Sequence, residues 1–196
     1  MEENLDELMF RIKACRVCEG KLPYDPHPVF TLDQTSKILI VGQAPGIKVH
    51  LSGIPWNDQS GKELRKWLNV SDMDFYDTQK FAILPTGLCY PGKGKNGDLP
   101  PRKECAPLWH PQILKKLNDV QLVLLIGKYA QEYYLKNEKY RSLTDSVKNY
   151  HEYLPRFFPL PHPSPRNFIW QRKNPWFQER VIPVLQQLVQ QILYPT

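Results

Sequence analysis

The chain has 196 residues, 41% of them hydrophobic, which is enough for the core of one domain. Lysine and arginine number 26 against 20 aspartates and glutamates, and the net charge of +6 suits a polyanionic partner as well as a merely solvated basic surface. No apolar run is long enough to span a bilayer, and the acidic start Met1-Glu2-Glu3-Asn4-Leu5-Asp6-Glu7 lacks the basic and apolar segments of a secretion signal, so a cytoplasmic protein without a membrane partner is expected.

In chain order, Leu5-Asp6-Glu7-Leu8-Met9-Phe10-Arg11-Ile12 has the apolar spacing of a short helix and runs into Cys15-Arg16-Val17-Cys18. Pro23, Pro26 and Pro28 then force a loop. Lys37-Ile38-Leu39-Ile40-Val41 reads as a buried central strand, followed by the turn Gly42-Gln43-Ala44-Pro45-Gly46. Ser60-Gly61-Lys62-Glu63 matches a capping box that opens a helix through Leu64, Trp67 and Leu68. Phe81-Ala82-Ile83-Leu84 is a second strand, residues 107–117 a helix, residues 121–127 another buried strand and residues 128–135 a helix. Residues 156–160 form the last strand, and residues 176–193 close the chain as a helix that Pro183 bends or opens. Strands alternating with helices predict a single α/β domain over residues 1–196, three-layer α/β/α with a short, mostly parallel central sheet.

The last strand delivers Leu160-Pro161-His162-Pro163-Ser164-Pro165-Arg166-Asn167. His162 and Ser164 each precede a proline, which biases both toward extended geometry on a stiff loop. Such a loop can aim a hydrogen bond at a reacting atom, although a proline-rich turn with a surface histidine has the same sequence. In open α/β sheets ligands bind outside the carboxyl ends of the strands, where both this loop and the Gly42–Gly46 turn fall.

All four cysteines fall into one pattern: a tight Cys15/Cys18 pair, then Cys89 and Cys105 separated by fifteen residues. In an intracellular chain they point to metal ligands, redox groups or buried thiols rather than disulfides. Structural zinc sites usually join two short knuckles, and the second pair is too widely spaced for one. A [4Fe–4S] cluster takes four thiolates from any positions the fold can converge. Zinc, or no metal at all, remains the alternative.

The turn Gly42-Gln43-Ala44-Pro45-Gly46, the late His162–Asn167 loop, the cysteine spacing and Gly53-Ile54-Pro55-Trp56 through Ser60-Gly61-Lys62-Glu63-Leu64 together resemble the uracil-DNA glycosylase superfamily. The cysteine spacing is similar to its iron–sulfur families four and five, and the late loop to its single-strand-selective branch. The resemblance spans about residues 15 to 170. It implies a monomeric DNA base-excision repair hydrolase that flips a uracil or other deaminated base out of DNA, cleaves its N-glycosidic bond and carries a [4Fe–4S] cluster on Cys15, Cys18, Cys89 and Cys105. In a bacterium, such a protein would be nucleoid-associated.

By that resemblance Gln43 touches the base or the attacking water, Trp56 stacks on the flipped base, and Gly42, Ala44 and Pro85 complete the base pocket. His162 donates a hydrogen bond to the departing base. Ser164 contacts a phosphate, and Arg166 and Asn167 enter the vacated stack. Two positions depart from the family. Ala44 stands where the most active branch has a water-activating aspartate, and Pro85 where family four has a uracil-reading asparagine. These departures motivate a second reading, a nucleic-acid-binding member with weak or no catalysis; a hydrolase of small nucleosides or nucleotides on a similar fold is a third.

Overall fold

The run Ile38–Val41 is isoleucine, leucine and valine throughout and buried at every position, so it has no solvent face and forms an interior strand, β1. A computed structural model describes residues 3–95, 97–135 and 142–195 of the chain. Helix α1 (Leu5–Lys13) precedes β1, and α2 (Ile47–Ser52), α3 (Gln59–Leu68) and α4 (Asp72–Tyr76) lead to β2 (Phe81–Ile83). A small hairpin, β3 (Lys93–Gly94) and β4 (Gly97–Asp98), is followed by α5 (Cys105–Leu114), β5 (Leu122–Ile126) and α6 (Lys128–Tyr134). Then come α7 (Leu143–Lys148), β6 (Phe157–Leu160), α8 (Phe168–Lys173) and α9 (Ile182–Leu193).

The main sheet has the order β2-β1-β5-β6, and every pairing in it is parallel. Side chains alternate across it with period two. Ile38, Ile40, Leu122, Leu124 and Phe158 meet one helical layer, which includes Leu64 and Leu68 of α3 and Leu185 and Val189 of α9. Leu39, Val41, Val123 and Leu125 meet the other, with Leu8 and Ile12 of α1 and Trp109 and Ile113 of α5. These two apolar clusters make the expected three layers. No helix among the described residues is long and apolar enough to cross a membrane.

One local expectation needs correction. The helix expected at Ser60 begins at Gln59, because Asp58 is the residue whose side chain accepts the Gly61 amide at 2.8 Å. Glu63 is not part of a capping box there; it accepts the indole N–H of Trp67, one turn on, at 2.9 Å. The late proline-rich segment is extended only as far as Ser164, after which Pro165–Asn167 winds into a 3₁₀ turn feeding α8. The closing helix opens with a π-helical turn at Phe177–Val181, and Pro183 occupies the first turn of α9, where its missing N–H costs nothing.

Candidate active site

Strand order reverses between β1 and β5, so the crevice beyond their carboxyl ends is the ligand position this topology provides. The turn after β1 is fixed there by the chain after β2. Thr86 N–H donates to Gly42 O at 2.9 Å, Gly87 N–H to Gln43 O at 2.8 Å, and the Thr86 hydroxyl to Gln43 O at 2.6 Å. Beyond β5, Gly127 adopts a φ of +81°, a left-handed conformation that a side chain would resist. A Cβ added at Gly127 would lie in ordinary contact, 3.6 Å, with the His162 Cβ, so it is the backbone conformation that calls for glycine at this junction with the loop after β6.

These loops enclose one cavity, bordered by Gly42, Gln43, Ala44, Trp56, Pro85 and His162. All six residues expected at the base and catalytic positions therefore meet in one place. Trp56 reaches it at a conformational cost. Its φ is +55°, a left-handed value that costs a non-glycine residue about 1–3 kcal/mol and persists only where the surroundings enforce it. Here they do. A Cβ on Gly61 would lie 1.8 Å from the Trp56 carbonyl oxygen, and one on Gly42 would lie 3.0 Å from its indole. The largely buried Arg65 guanidinium, ion-paired to Asp72 at 2.6 Å, approaches the same carbonyl at 3.5 Å.

His162 packs on this indole, with ring centroids 5.7 Å apart. Burial lowers its pKa and the nearby Asp58 carboxylate opposes that shift, so the imidazole is neutral at physiological pH. Its ring makes no hydrogen bond to any described residue, which leaves one N–H donor and one acceptor nitrogen for a ligand. Asp58 itself borders the cavity. Sequence reasoning missed it by assigning the helix cap to Ser60; an aspartate three residues before a glycine, at a helix start beside Trp56, was the signal that could have found it.

The residues expected on DNA lie outside this cavity. Ser164 borders a neighbouring one, with Gln59 and Phe168, and its hydroxyl accepts the Arg166 amide at 3.3 Å as a turn cap. Asn167 turns inward and donates from Nδ2 to His162 O at 2.6 Å, bracing the catalytic loop rather than projecting from it. Arg166 lies against the β3–β4 hairpin, with Nη1 2.7 Å from the place a Gly97 Cβ would take. The side chains that do project here are Phe168 and Ile169, 61% and 66% exposed.

Behind Pro85, His110 is fully buried. Its Nε2 lies 3.2 Å from Pro85 O and its Nδ1 2.8 Å from the Tyr134 hydroxyl. A carbonyl only accepts, so Nε2 carries the proton and Nδ1 accepts from Tyr134. Burial holds His110 neutral, with its pKa lowered to about 4, and pushes Tyr134 up, so this brace is uncharged.

The four cysteines border a second cavity, together with Pro26, Pro28, Arg102 and Trp109. All are free thiols. The Leu88 amide donates to Cys105 Sγ at 3.4 Å. Burial pushes Cys89 up to about 11 and Cys105 up to about 12. No group of three or more His, Cys, Asp or Glu side chains among the described residues is arranged to hold a single metal ion.

A parallel α/β/α sandwich thus carries a neutral histidine, a tryptophan at positive φ and a carboxylate around one strand-end cavity. The model of the uracil DNA glycosylase superfamily matches residues 29–186, and the chain belongs to that superfamily. Among solved structures, the chain is similar to wild-type SMUG2 of Pedobacter heparinus at 16% identity and a TM-score of 0.43, over 78% of this chain and 76% of that one. It is also similar to a candidate uracil DNA glycosylase of Methanosarcina acetivorans, at 16% identity and a TM-score of 0.42, over 82% of this chain and 98% of that one.

Proposed function

We propose that the protein is a monofunctional DNA glycosylase that removes uracil or another deaminated base from DNA. The observation that carries this reading is the convergence of Gln43, Asp58, Trp56 and His162 on one cavity in a chain of this superfamily. Cleavage of an N-glycosidic bond leaves positive charge on the sugar and negative charge on the departing base. A fixed, neutral donor aimed at the base oxygen stabilises that charge, by about 3–4 kcal/mol in comparable oxyanion sites. His162 supplies the donor.

Ala44 has no side chain that can hold water, and Asp58 is the carboxylate that takes over. It accepts the attacking water's hydrogen bond and faces the developing positive charge, and such general-base assistance is worth about 10²–10⁴-fold. Extruding the base costs a few kcal/mol. Stacking on Trp56 returns about 1–3 kcal/mol. Phe168 and Ile169 make the apolar wedge that fills the gap in the duplex, beside Arg166 and Asn167, for which the resemblance implies the same role.

The four thiols lie around one cavity, and the group we propose for it is a [4Fe–4S] cluster, which takes four thiolates from separate chain positions. Bound there, the cluster would tie the chain after α1 to the loop before α5. Anaerobically purified protein is expected to be brown, with a broad visible absorbance band lost in Cys18→Ser; colourless protein holding one zinc would refute this.

The test of the main reading is a duplex oligonucleotide carrying one uracil, treated with alkali after incubation, with hypoxanthine and xanthine duplexes and free nucleosides alongside. Strand breakage that His162→Ala abolishes is the expected result. DNA binding without base release would favour the non-catalytic reading that Ala44 and Pro85 motivate, and activity confined to nucleosides would favour a small-molecule hydrolase.

A further inference from the structure

Deamination changes the hydrogen-bonding edge of a base in a definite way. Cytosine becoming uracil, or adenine becoming hypoxanthine, exchanges an amino group for a carbonyl, and the adjacent ring nitrogen changes from acceptor to N–H donor. A pocket that selects the deaminated form therefore needs a fixed acceptor facing that N–H.

Few acceptors remain in this cavity. The Pro85 side chain has none, and Pro85 O already accepts from His110. Gly42 O and Gln43 O are taken by Thr86 and Gly87. His162 O is taken by Asn167. Three side-chain acceptors are left, the Gln43 amide, the unprotonated ring nitrogen of His162 and the Asp58 carboxylate, one oxygen of which is committed to the Gly61 amide.

The orientation of Gln43 is set from outside the pocket. Its Nε2 donates to Leu99 O at 3.3 Å, and the side chain makes no other hydrogen bond among the described residues. Because Leu99 O can only accept, the amide must present its NH₂ there, which leaves Oε1 of this cavity-lining residue without a partner among the described residues. Leu99 is itself held by the hairpin. Its amide donates to Gly92 O at 2.8 Å, and its side chain lies 3.4 Å and 3.1 Å from the Cβ positions of Gly92 and Gly94. The segment between Cys89 and Cys105 thus reaches the crevice and fixes the amide of Gln43.

We propose that Gln43 is the specificity-determining residue of the pocket, with Oε1, oriented by the Leu99 carbonyl, accepting the ring N–H that deamination creates. This rests on the glycosylase reading above and takes over the task that Pro85 cannot perform. The same oxygen repels the ring-nitrogen lone pair of cytosine or adenine, and a site built around such a bond rejects ligands lacking it far more strongly than shape alone does.

The experiment is equilibrium binding of single-stranded oligonucleotides containing one 2′-fluoro-2′-deoxyuridine or one 2′-fluoro-2′-deoxycytidine. The fluorine disfavours positive charge on the sugar and so suppresses cleavage, and single strands remove base-pairing differences. The wild type is expected to prefer the uracil oligonucleotide by at least about tenfold. Gln43→Leu should abolish the preference, while Asp58→Asn should retain it. Equal binding by the wild type, a preference surviving in Gln43→Leu, or one lost in Asp58→Asn would overturn the assignment. Release of uracil from ordinary deoxyuridine DNA is scored separately. Release without the preference sinks only the Gln43 assignment, preference without release sinks only the catalytic reading, and binding to neither oligonucleotide sinks both.

Discussion

The Trp56 indole and the His162 imidazole lie with ring centroids 5.7 Å apart and planes 34° from parallel. At that spacing the two rings are in mutual contact. A base therefore cannot slide between them; under the proposed function it would stack on the indole with its edge toward the imidazole. The two residues arrive from different elements, one just before α3 and the other just after β6, so their contact is a property of the fold and not of local sequence.

His162→Ala is expected to lower single-turnover base release by about 10²–10³-fold, the loss typical of removing one oxyanion donor. Because the imidazole has no structural hydrogen bond to lose, DNA affinity and the urea unfolding midpoint should stay close to wild type. A matching fall in affinity would show that His162 holds the substrate rather than the departing charge.

Gly61→Ala should mimic removal of the stacking ring. The new methyl would sit 1.8 Å from the Trp56 carbonyl oxygen, so Trp56 must leave its left-handed conformation or α3 must shift. Binding to a uracil oligonucleotide should weaken by about 1–3 kcal/mol, as in Trp56→Ala, whereas Trp56→Phe keeps most of the affinity. Binding titrations of the three variants, with circular dichroism to establish that Gly61→Ala still folds, decide the matter.

Much of this was legible in the sequence because it rests on patterns with a fixed period. Ile38–Val41 and Leu122–Ile126 are continuous apolar runs that only buried strands satisfy, and they mark the sheet and its rim. The loops at strand ends then pointed to Gln43 and His162, whereas Pro85 entered only through the family resemblance. What was not legible depended on contacts between distant residues. Asp58 competes with Ser60 as a helix cap, and only the path of the chain at Trp56 decides between them. Asn167 reads as an exposed loop amide until the 3₁₀ turn swings it back onto His162 O. The β3–β4 hairpin pairs only two residues on each strand, too few to leave a period-two signal.

Phe168→Ala and Ile169→Ala should separate duplex from single-stranded substrates. Both side chains are more than half exposed beside the catalytic loop, so neither supports the core. An apolar wedge acts only where a base has left a stacked duplex. The double variant is expected to lose activity on duplex uracil while keeping it on single-stranded uracil, as measured by parallel base-release assays. Equal loss on both would mean that these side chains serve the catalytic loop instead.

The buried His110 gives the fold a built-in acid sensitivity. Its pKa is lowered by burial from 6.5 to about 4 in the folded protein, while in the unfolded chain it titrates near the ordinary value. Above pH 6.5 both states hold it neutral and it contributes no pH dependence. As pH falls below 6.5 the unfolded state takes up a proton that the folded state refuses, so stability declines until the folded pKa near 4 is reached. Over that window the loss is about 3 kcal/mol. His110→Gln cannot titrate and should flatten the decline, although it weakens the brace on Pro85 O and so lowers stability at neutral pH. Urea midpoints at pH 7.5 and pH 5 for the two proteins test this; identical slopes with pH would mean that His110 is protonated, or solvent-reached, in the folded state.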